Sequence, residues 1–312
     1  MSLNKVCLVG ANGSLGSVLL PVLVAADFQV TILQRASSTS SVPSADHPNV
    51  TVKVVDSDFA LPDLTAALQG QDAVIAAFPI PGRLEYHLRL AYAAAQAGVR
   101  RFIPADFGSC DAANPEALKR LQLYRDKVRV RERCEELERE FASKGFSWTA
   151  LVCGHFFDWG LRDNFLHFDL EKREALLLDG GNTPASASTL HRVGEAVVAV
   201  LRKPAETANK TLFVQSFNPT QRQVLAALEK VTGGAPWTVK ETQSGPFLEQ
   251  EQKKVDAGDK HAIEEVVFAL GARDADWTEK PGFAMKMLGL QDEDLDQVVK
   301  RVVEEIKAAK AA

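Results

Sequence analysis

A doubly wound α/β fold built on a parallel sheet is what this chain predicts, and three observations predict it. Short, continuous apolar runs alternate with helix-length segments through the first half, the pattern of strands buried on both faces. The first run, Lys5 to Val9, passes straight into Gly10-Ala11-Asn12-Gly13-Ser14-Leu15-Gly16 and then into a helix. Strand, glycine-spaced turn and helix in that order are what a dinucleotide pyrophosphate requires. Finally, 312 residues and 34.0 kDa suffice for one large α/β core plus a smaller lobe.

The elements follow in order. The first helix carries Pro21, which removes one backbone bond and should bend the axis. Strands are expected at Gln29 to Leu33 and Val50 to Val55, a helix over Leu61 to Gln69, and a fourth strand over Ala73 to Phe78. A helix over Leu84 to Ala97 stops at Gly98, and Arg101 to Pro104 form a short fifth strand. One long charged helix is predicted from about Glu116 to Ser143, ended by Lys144-Gly145 as a glycine C-cap. Phe146 to Val152 is the sixth strand.

Beyond Cys153 the alternation weakens. Aromatics cluster from His155 to Phe168, a polar loop covers Asp179 to Ser188, and Leu212-Phe213-Val214 suggests one more strand. The remainder reads as mainly helical: Thr220 to Val231, a charged stretch around Phe247 to Phe268, and Glu293 to Ala309. Residues 1–153 are assigned to a dinucleotide-binding Rossmann domain. Residues 154–312 form a smaller substrate-binding lobe growing out of the same sheet.

Each glycine of the turn has a distinct task. Gly10 permits the tight turn, Gly13 lets backbone N–H groups approach phosphates, and Gly16 lets helix and strand pack closely. Asn12, Ser14 and Leu15 complete the loop, and the helix N-terminus adds N–H donors and a positive dipole end. An NAD site commonly places a carboxylate after the second strand for the ribose 2′-hydroxyl. Gln34-Arg35 stand there instead, followed by Ser37, Ser38 and Thr39. Arg35 suits a 2′-phosphate through charge-assisted hydrogen bonds, so NADPH is the expected cofactor; the bland alternative is a solvated arginine in the exposed loop Ser37 to Ser44. After the third strand, Asp58 either meets the adenine edge or caps its own turn.

Ligands of open parallel sheets collect at the carboxyl ends of the strands. That rule selects Phe78 and Pro79 after the fourth strand, and Asp106 and Phe107 after the fifth. After the sixth come His155, Phe156 and Phe157. The last three suit an aromatic substrate in an apolar cleft, or equally the packing of the second lobe; His155 can assist proton transfer or serve as a structural group.

Bulk properties narrow the classes. A net charge of −5 argues against nucleic-acid binding, and no run of about 20 apolar residues marks a membrane span. Met1 to Lys5 lead directly into a core strand, leaving no room for a cleavable signal. Cys7, Cys110, Cys134 and Cys153 have neither paired nor metal-like spacing, so no metal site is expected. These features together fit a reducing cytoplasm.

Lys127 is the leading candidate for chemistry, although on composition alone it reads as a solvated residue of a charged helix. Tyr124 precedes it by three positions, not by the four of the Tyr-x-x-x-Lys arrangement of short-chain dehydrogenases, whose relatives also share the G-x-x-G-x-x-G spacing. Gly98-Val99-Arg100-Arg101-Phe102-Ile103-Pro104-Ala105-Asp106-Phe107-Gly108 resembles the V-K-R-F-x-P-S-E-F-G signature of the isoflavone reductase-like, NmrA-like family of atypical short-chain dehydrogenases. That family includes phenylcoumaran benzylic ether and pinoresinol–lariciresinol reductases. Further resemblances follow in order: Lys127 to Arg131, Gly145-Phe146-Ser147-Trp148-Thr149, Asp179 to Thr183, and Leu190 to Gly194. An NmrA-like domain spanning about 5–250 is the implication.

The resemblance implies that Lys127 is the acid/base, with Lys119 as the fallback, in an NADPH-dependent reductase of a small aromatic or conjugated secondary metabolite. Ala105-Asp106 and His191-Arg192 depart from the family's Ser-Glu and paired acids, and these departures bear on substrate class. Two rival functions stay open. One is a non-catalytic NAD(P)-sensing regulator that holds a protein partner; the other is a redox-neutral isomerase. A monomer or homodimer is expected.

Overall fold

The computed structural model describes residues 3–42, 44 and 46–311; Met1, Ser2 and Pro43, on which the leader and loop readings touch, lie outside the described residues. In chain order the first half contains β1 (Lys5–Val9), α1 (Gly16–Ala25), β2 (Gln29–Arg35), β3 (Val50–Val55), α2 (Leu61–Leu68) and β4 (Ala73–Ala76). It continues through α3 (Leu84–Gln96), β5 (Arg101–Ile103), α4 (Pro115–Arg120), α5 (Gln122–Glu140) and β6 (Ser147–Val152).

The Cα packing separates two compact units, each assembled from three segments. The first comprises Met1–Phe107, Gln122–Leu151 and Val193–Leu212; the second comprises Gly108–Leu121, Val152–Arg192 and Phe213–Ala312.

The first unit carries a seven-stranded sheet in the order Lys210–Phe213, β6, β5, β4, β1, β2, β3. The five pairings from β6 through β3 are parallel. The order reverses between β1 and β4, the switch point where open sheets of this kind leave a crevice. Val6, Cys7, Leu8 and Val9 are buried, as are all four residues of β4. Short apolar strands with no alternation require helices on both faces. The Asp72 carboxylate accepts from the N–H groups of Asn4 and Lys5 at 2.8 and 2.9 Å and pairs with Arg100 at 2.6 Å. One side chain thus ties down the entry to β1 and β5.

The predicted helix from Glu116 to Ser143 is two helices. Asn114 caps α4 through its side chain, Pro115 opens it, and Leu121 breaks it with extended dihedrals (φ −121°, ψ 133°). Lys119 therefore belongs to a different helix from Lys127. The glycine cap does form: Gly145 is left-handed at φ 72° and its N–H bonds Ala142 O. Pro21 lies inside α1, which continues to Ala25.

In the second unit, the helix opened by the capping box of Thr220 and Gln223 spans Gln221–Thr232. The charged stretch resolves into helices Ser244–Asp256 and His261–Asp274, and the last helix is Leu295–Ala311. A three-stranded sheet of Phe168–Asp169, Glu174–Leu178 and Thr238–Thr242 is present where the sequence pattern showed only loop and helix. All four cysteines are buried and unbridged, and among the described residues no helix is long and apolar enough to cross a membrane.

Candidate functional site

Two turns at the carboxyl edge of the sheet in the first unit carry the predicted residues. The turn after β1 is held by backbone contacts. Gly10 has φ +95°, and a Cβ there would lie 2.4 Å from Ala77 O; at Gly16 it would lie 2.0 Å from Gly10 O. Neither position admits a side chain. Gly13 differs: a Cβ would come no closer than 3.4 Å to another protein atom, so the fold itself tolerates a methyl there. Only a group approaching from outside would require that glycine. Helix α1 begins with no side-chain cap and no acid in its first turn. Its positive dipole end is therefore open to an anion with no side chain in competition, while the N–H groups of Ser17 and Val18 donate to Gly13 O and Leu15 O at 2.9 and 3.1 Å. Asn12, Gly13 and Ser14 are exposed at this point, while Leu15 is buried. The turn fits a pyrophosphate.

A cleft of about 250 Å³ opens beside it, lined by Gly10 to Gly13, Gln34, Arg35, Ser38, Ser40, Phe59, Phe78, Pro79, Arg83 and Tyr86 among others. The described residues lining it include two arginines and no carboxylate, an electrostatic surface for a phosphorylated anion. Arg35 and Ser38, expected to meet a 2′-phosphate, both line the cleft. Asp58 does not line the cleft; its N–H bonds the Asp56 carboxylate at 2.8 Å, and its carbonyl accepts from Arg89 at 3.0 Å. The neighbouring Phe59, left-handed at φ 54°, faces the cleft instead. Phe78 stacks on His87 with centroids 3.8 Å apart and ring planes 12° apart, and His87 Nε2 donates to Pro79 O at 3.2 Å. Burial pushes the His87 pKa down to about 4, so the ring is neutral.

The second turn follows β5 and is held by side chains. Asp106 N–H bonds Pro104 O at 2.7 Å, and Phe107 is left-handed at φ 34° although it is not glycine. The Asp106 carboxylate, with 1% side-chain exposure, pairs with Nε of Arg131. Lys127, half-buried, donates from Nζ to the Asp106 carbonyl at 2.5 Å and lies 5.9 Å from the centroid of the buried Tyr124 ring. Lys127 and Arg131 are four apart on α5, hence on one face. Asp106, expected to meet substrate, has Oδ2 paired internally with Arg131, and its Oδ1 is buried without a hydrogen-bond partner among the described residues.

In the second unit His155 is buried against Phe165 and Phe268, with centroids at 5.5 and 6.0 Å. A Cβ on Gly271 would lie 2.3 Å from its Nε2, so the ring occupies the space that glycine leaves. Burial pushes its pKa down to about 4. It borders an apolar cavity of about 40 Å³ together with Phe157, Leu166, Phe168 and Phe268. Phe157 packs edge-on against Phe217 at 4.7 Å as core, whereas Phe156 is half-buried. Arg192, at a departure from the family pattern, is buried and donates to Gln291 O at 2.7 Å.

The sequence reading missed Phe59, Arg83 and Tyr86 in the cleft, and Arg131 beside Asp106. The first three come from a turn and a helix entry with no motif. Arg131 is one of five arginines on α5 (Arg125, Arg129, Arg131, Arg133 and Arg139), and only the fold singles it out.

The switch-point crevice and steric glycine turn define a Rossmann-type α/β protein. The chain belongs to the NmrA-like family, whose sequence profile matches residues 2–306. It is 38% identical over 253 residues to oxidoreductase aprR of Aspergillus flavus, covering 80% of each chain. The structure resembles isoflavone reductase (TM-score 0.73, 21% identity, 96% of this chain and 99% of that one). It also resembles the leucoanthocyanidin reductase–NADPH complex of Vitis vinifera (TM-score 0.76, 16% identity, 96% and 99%). The chain is accordingly an oxidoreductase of the NmrA-like family with this fold.

Proposed function

We propose that this protein is an NADPH-dependent reductase of a small aromatic or conjugated metabolite, with Lys127 as its acid/base. One observation carries the reading above the others: a sterically obligatory glycine turn and an uncapped helix open into a cleft whose charged lining is Arg35 and Arg83. The NADPH complex of the related leucoanthocyanidin reductase supports the same cofactor here.

In this reading the backbone from Gly10 to Gly16 holds the pyrophosphate. Arg35, with Ser38 and Ser40, holds the 2′-phosphate, and Phe59, Phe78 and Pro79 form the apolar walls. NADPH, when bound, supplies a hydride equivalent. As a carbonyl or opening benzylic ether accepts it, negative charge develops on oxygen, and a positioned proton donor lowers the barrier there. Lys127, fixed through Nζ on the Asp106 carbonyl, is that donor. Within the second unit, Phe156 is a half-buried aromatic, and His155 borders an apolar cavity with Phe157 and Phe268.

The test is direct. The protein is incubated with NADPH and a panel of isoflavones, benzylic ethers and aromatic ketones, and NADPH absorbance is followed. Consumption with a defined product supports the reductase; tight binding without consumption supports the sensor. Lys127→Ala should abolish turnover while leaving NADPH binding largely intact, and near-normal turnover would remove the lysine from the mechanism.

A further inference from the structure

We infer that the Asp106–Arg131 ion pair is a positioning device for Lys127, an inference that rests on the acid/base reading above. A lysine ammonium sits on a flexible stem with four rotatable carbons and takes its place only where an acceptor fixes it. Here the acceptor is a main-chain carbonyl, Asp106 O, at 2.5 Å from Nζ. A carbonyl points where its peptide plane points, and this plane is set by an unusual turn: Asp106 N–H folds back to Pro104 O at 2.7 Å, and Phe107 takes a left-handed φ of 34°.

Left-handed geometry at a phenylalanine persists only when its surroundings over-determine it. The grip comes from the same residue's other end. Arg131 Nε holds the Asp106 carboxylate, and both side chains are at least nine-tenths buried, with exposures of 10% and 1%. Arg131 also lies one helical turn beyond Lys127 on α5. Carboxylate and carbonyl of one residue are thus bound by two cations of one helix face, and the turn, the lysine and the helix move as a single body. Arg131 does not act on substrate; it aims the residue that does.

The deciding variant is Asp106→Asn with Arg131→Gln, which removes both charges of the pair together. It is compared with Lys127→Met, using NADPH and whichever aromatic ketone or benzylic ether of the panel wild type reduces. A loss of kcat on the order of 10- to 100-fold is expected from misplacement of a catalytic group, with KM and the NADPH dissociation constant within about threefold of wild type and thermal unfolding still cooperative. In protein labelled with ¹³C at lysine Cε, the Lys127 signal, assigned by its absence in Lys127→Met, should move from a dispersed position to the averaged shift of a mobile lysine.

Turnover within about twofold of wild type and an unmoved Lys127 signal, while Lys127→Met is dead, overturns the positioning role alone. A Lys127→Met that turns over normally overturns the acid/base reading instead. Should the double variant fail to fold, Arg131→Lys, which keeps the charge and loses the planar fork, carries the same readouts. It should fall between wild type and Lys127→Met in kcat; wild-type kcat would overturn the inference.

Discussion

The turns after β1 and β5 both leave the carboxyl edge of one sheet, and they are fixed by different means. The first is fixed by absence: Gly10 and Gly16 leave out the atoms that would strike Ala77 O and Gly10 O. The second is fixed by presence, through a buried carboxylate held by an arginine 25 positions away in sequence. A turn specified by missing atoms can be read from its own few residues. A turn specified by a distant partner cannot.

The largest effects should come from filling the first turn. Gly16→Ala and Gly10→Ala each place a methyl inside a carbonyl oxygen's contact radius, and the backbone must shift to accept it. We expect a cost of about 3 kcal/mol or more, from overpacking and at Gly10 also from positive φ, read as a lowered urea midpoint. Gly13→Ala should leave the midpoint within about 0.5 kcal/mol of wild type but weaken NADPH binding. Equal destabilisation at all three positions would erase the distinction between glycines the fold needs and the glycine a ligand needs.

Next in size is the second turn. Arg131→Met strands a buried carboxylate, a change costing about 3–5 kcal/mol. Arg101 supplies the control. It is buried too, but its guanidinium donates to Ser147 at 3.0 Å, Thr149 and Thr207 at 2.7 Å, and Pro204 O at 2.6 Å, all neutral, and burial pushes its pKa down to about 10. Arg101→Met leaves only neutral acceptors unpaired and should cost about 1–3 kcal/mol. Urea titrations of the two variants should rank Arg131 above Arg101; the opposite order would mean that the Asp106 pair contributes little to holding its turn.

The same contrast explains what could be read in advance. Strands β1 to β6 were legible because an apolar run between helix signals needs no partner to be recognised, and β3 matches its expected bounds of Val50 and Val55. The break at Leu121 was not. Leucine favours helix, yet Leu121, buried, takes extended dihedrals between α4, which the Asn114 cap starts, and α5, which begins at Gln122. The small sheet was hidden for a related reason: Thr238–Thr242 joins Glu174–Leu178 in parallel across 64 residues, and its own five residues carry little apolar alternation. Among the residues lining the cleft, the glycines and Arg35 could be picked out from the sequence. Arg83, Phe59 and Tyr86 are ordinary residues that line the cleft only because of where β4, α3 and the turn after β3 leave them.

Affinity should respond more modestly than stability. Arg35→Ala removes one charge-assisted contact from the proposed 2′-phosphate site and should weaken NADPH binding about 10- to 100-fold, with NADH binding nearly unchanged. Fluorescence titration with both cofactors checks the ratio. An equal loss for the two would mean that Arg35 serves the cleft's shape and not the phosphate.

The smallest effect separates the cleft wall from both turns by its pH dependence. His87 sits behind Phe78, and burial lowers its pKa from an ordinary 6.5 to about 4. The unfolded chain therefore binds a proton at His87 more readily than the folded one. The stability linked to the neutral ring is fully present above about pH 6.5 and is lost as pH falls toward 4. His155 titrates the same way in the second unit, so wild type should lose urea resistance across that window from two sources. His87→Phe keeps a ring against Phe78 and removes one source. Its midpoint should be lower at neutral pH, because the bond to Pro79 O is gone, yet fall less steeply between pH 6.5 and 4. An unchanged slope would mean that His87 is already accessible to protons in the folded state, and the wall behind Phe78 would then be looser than its stacked geometry indicates.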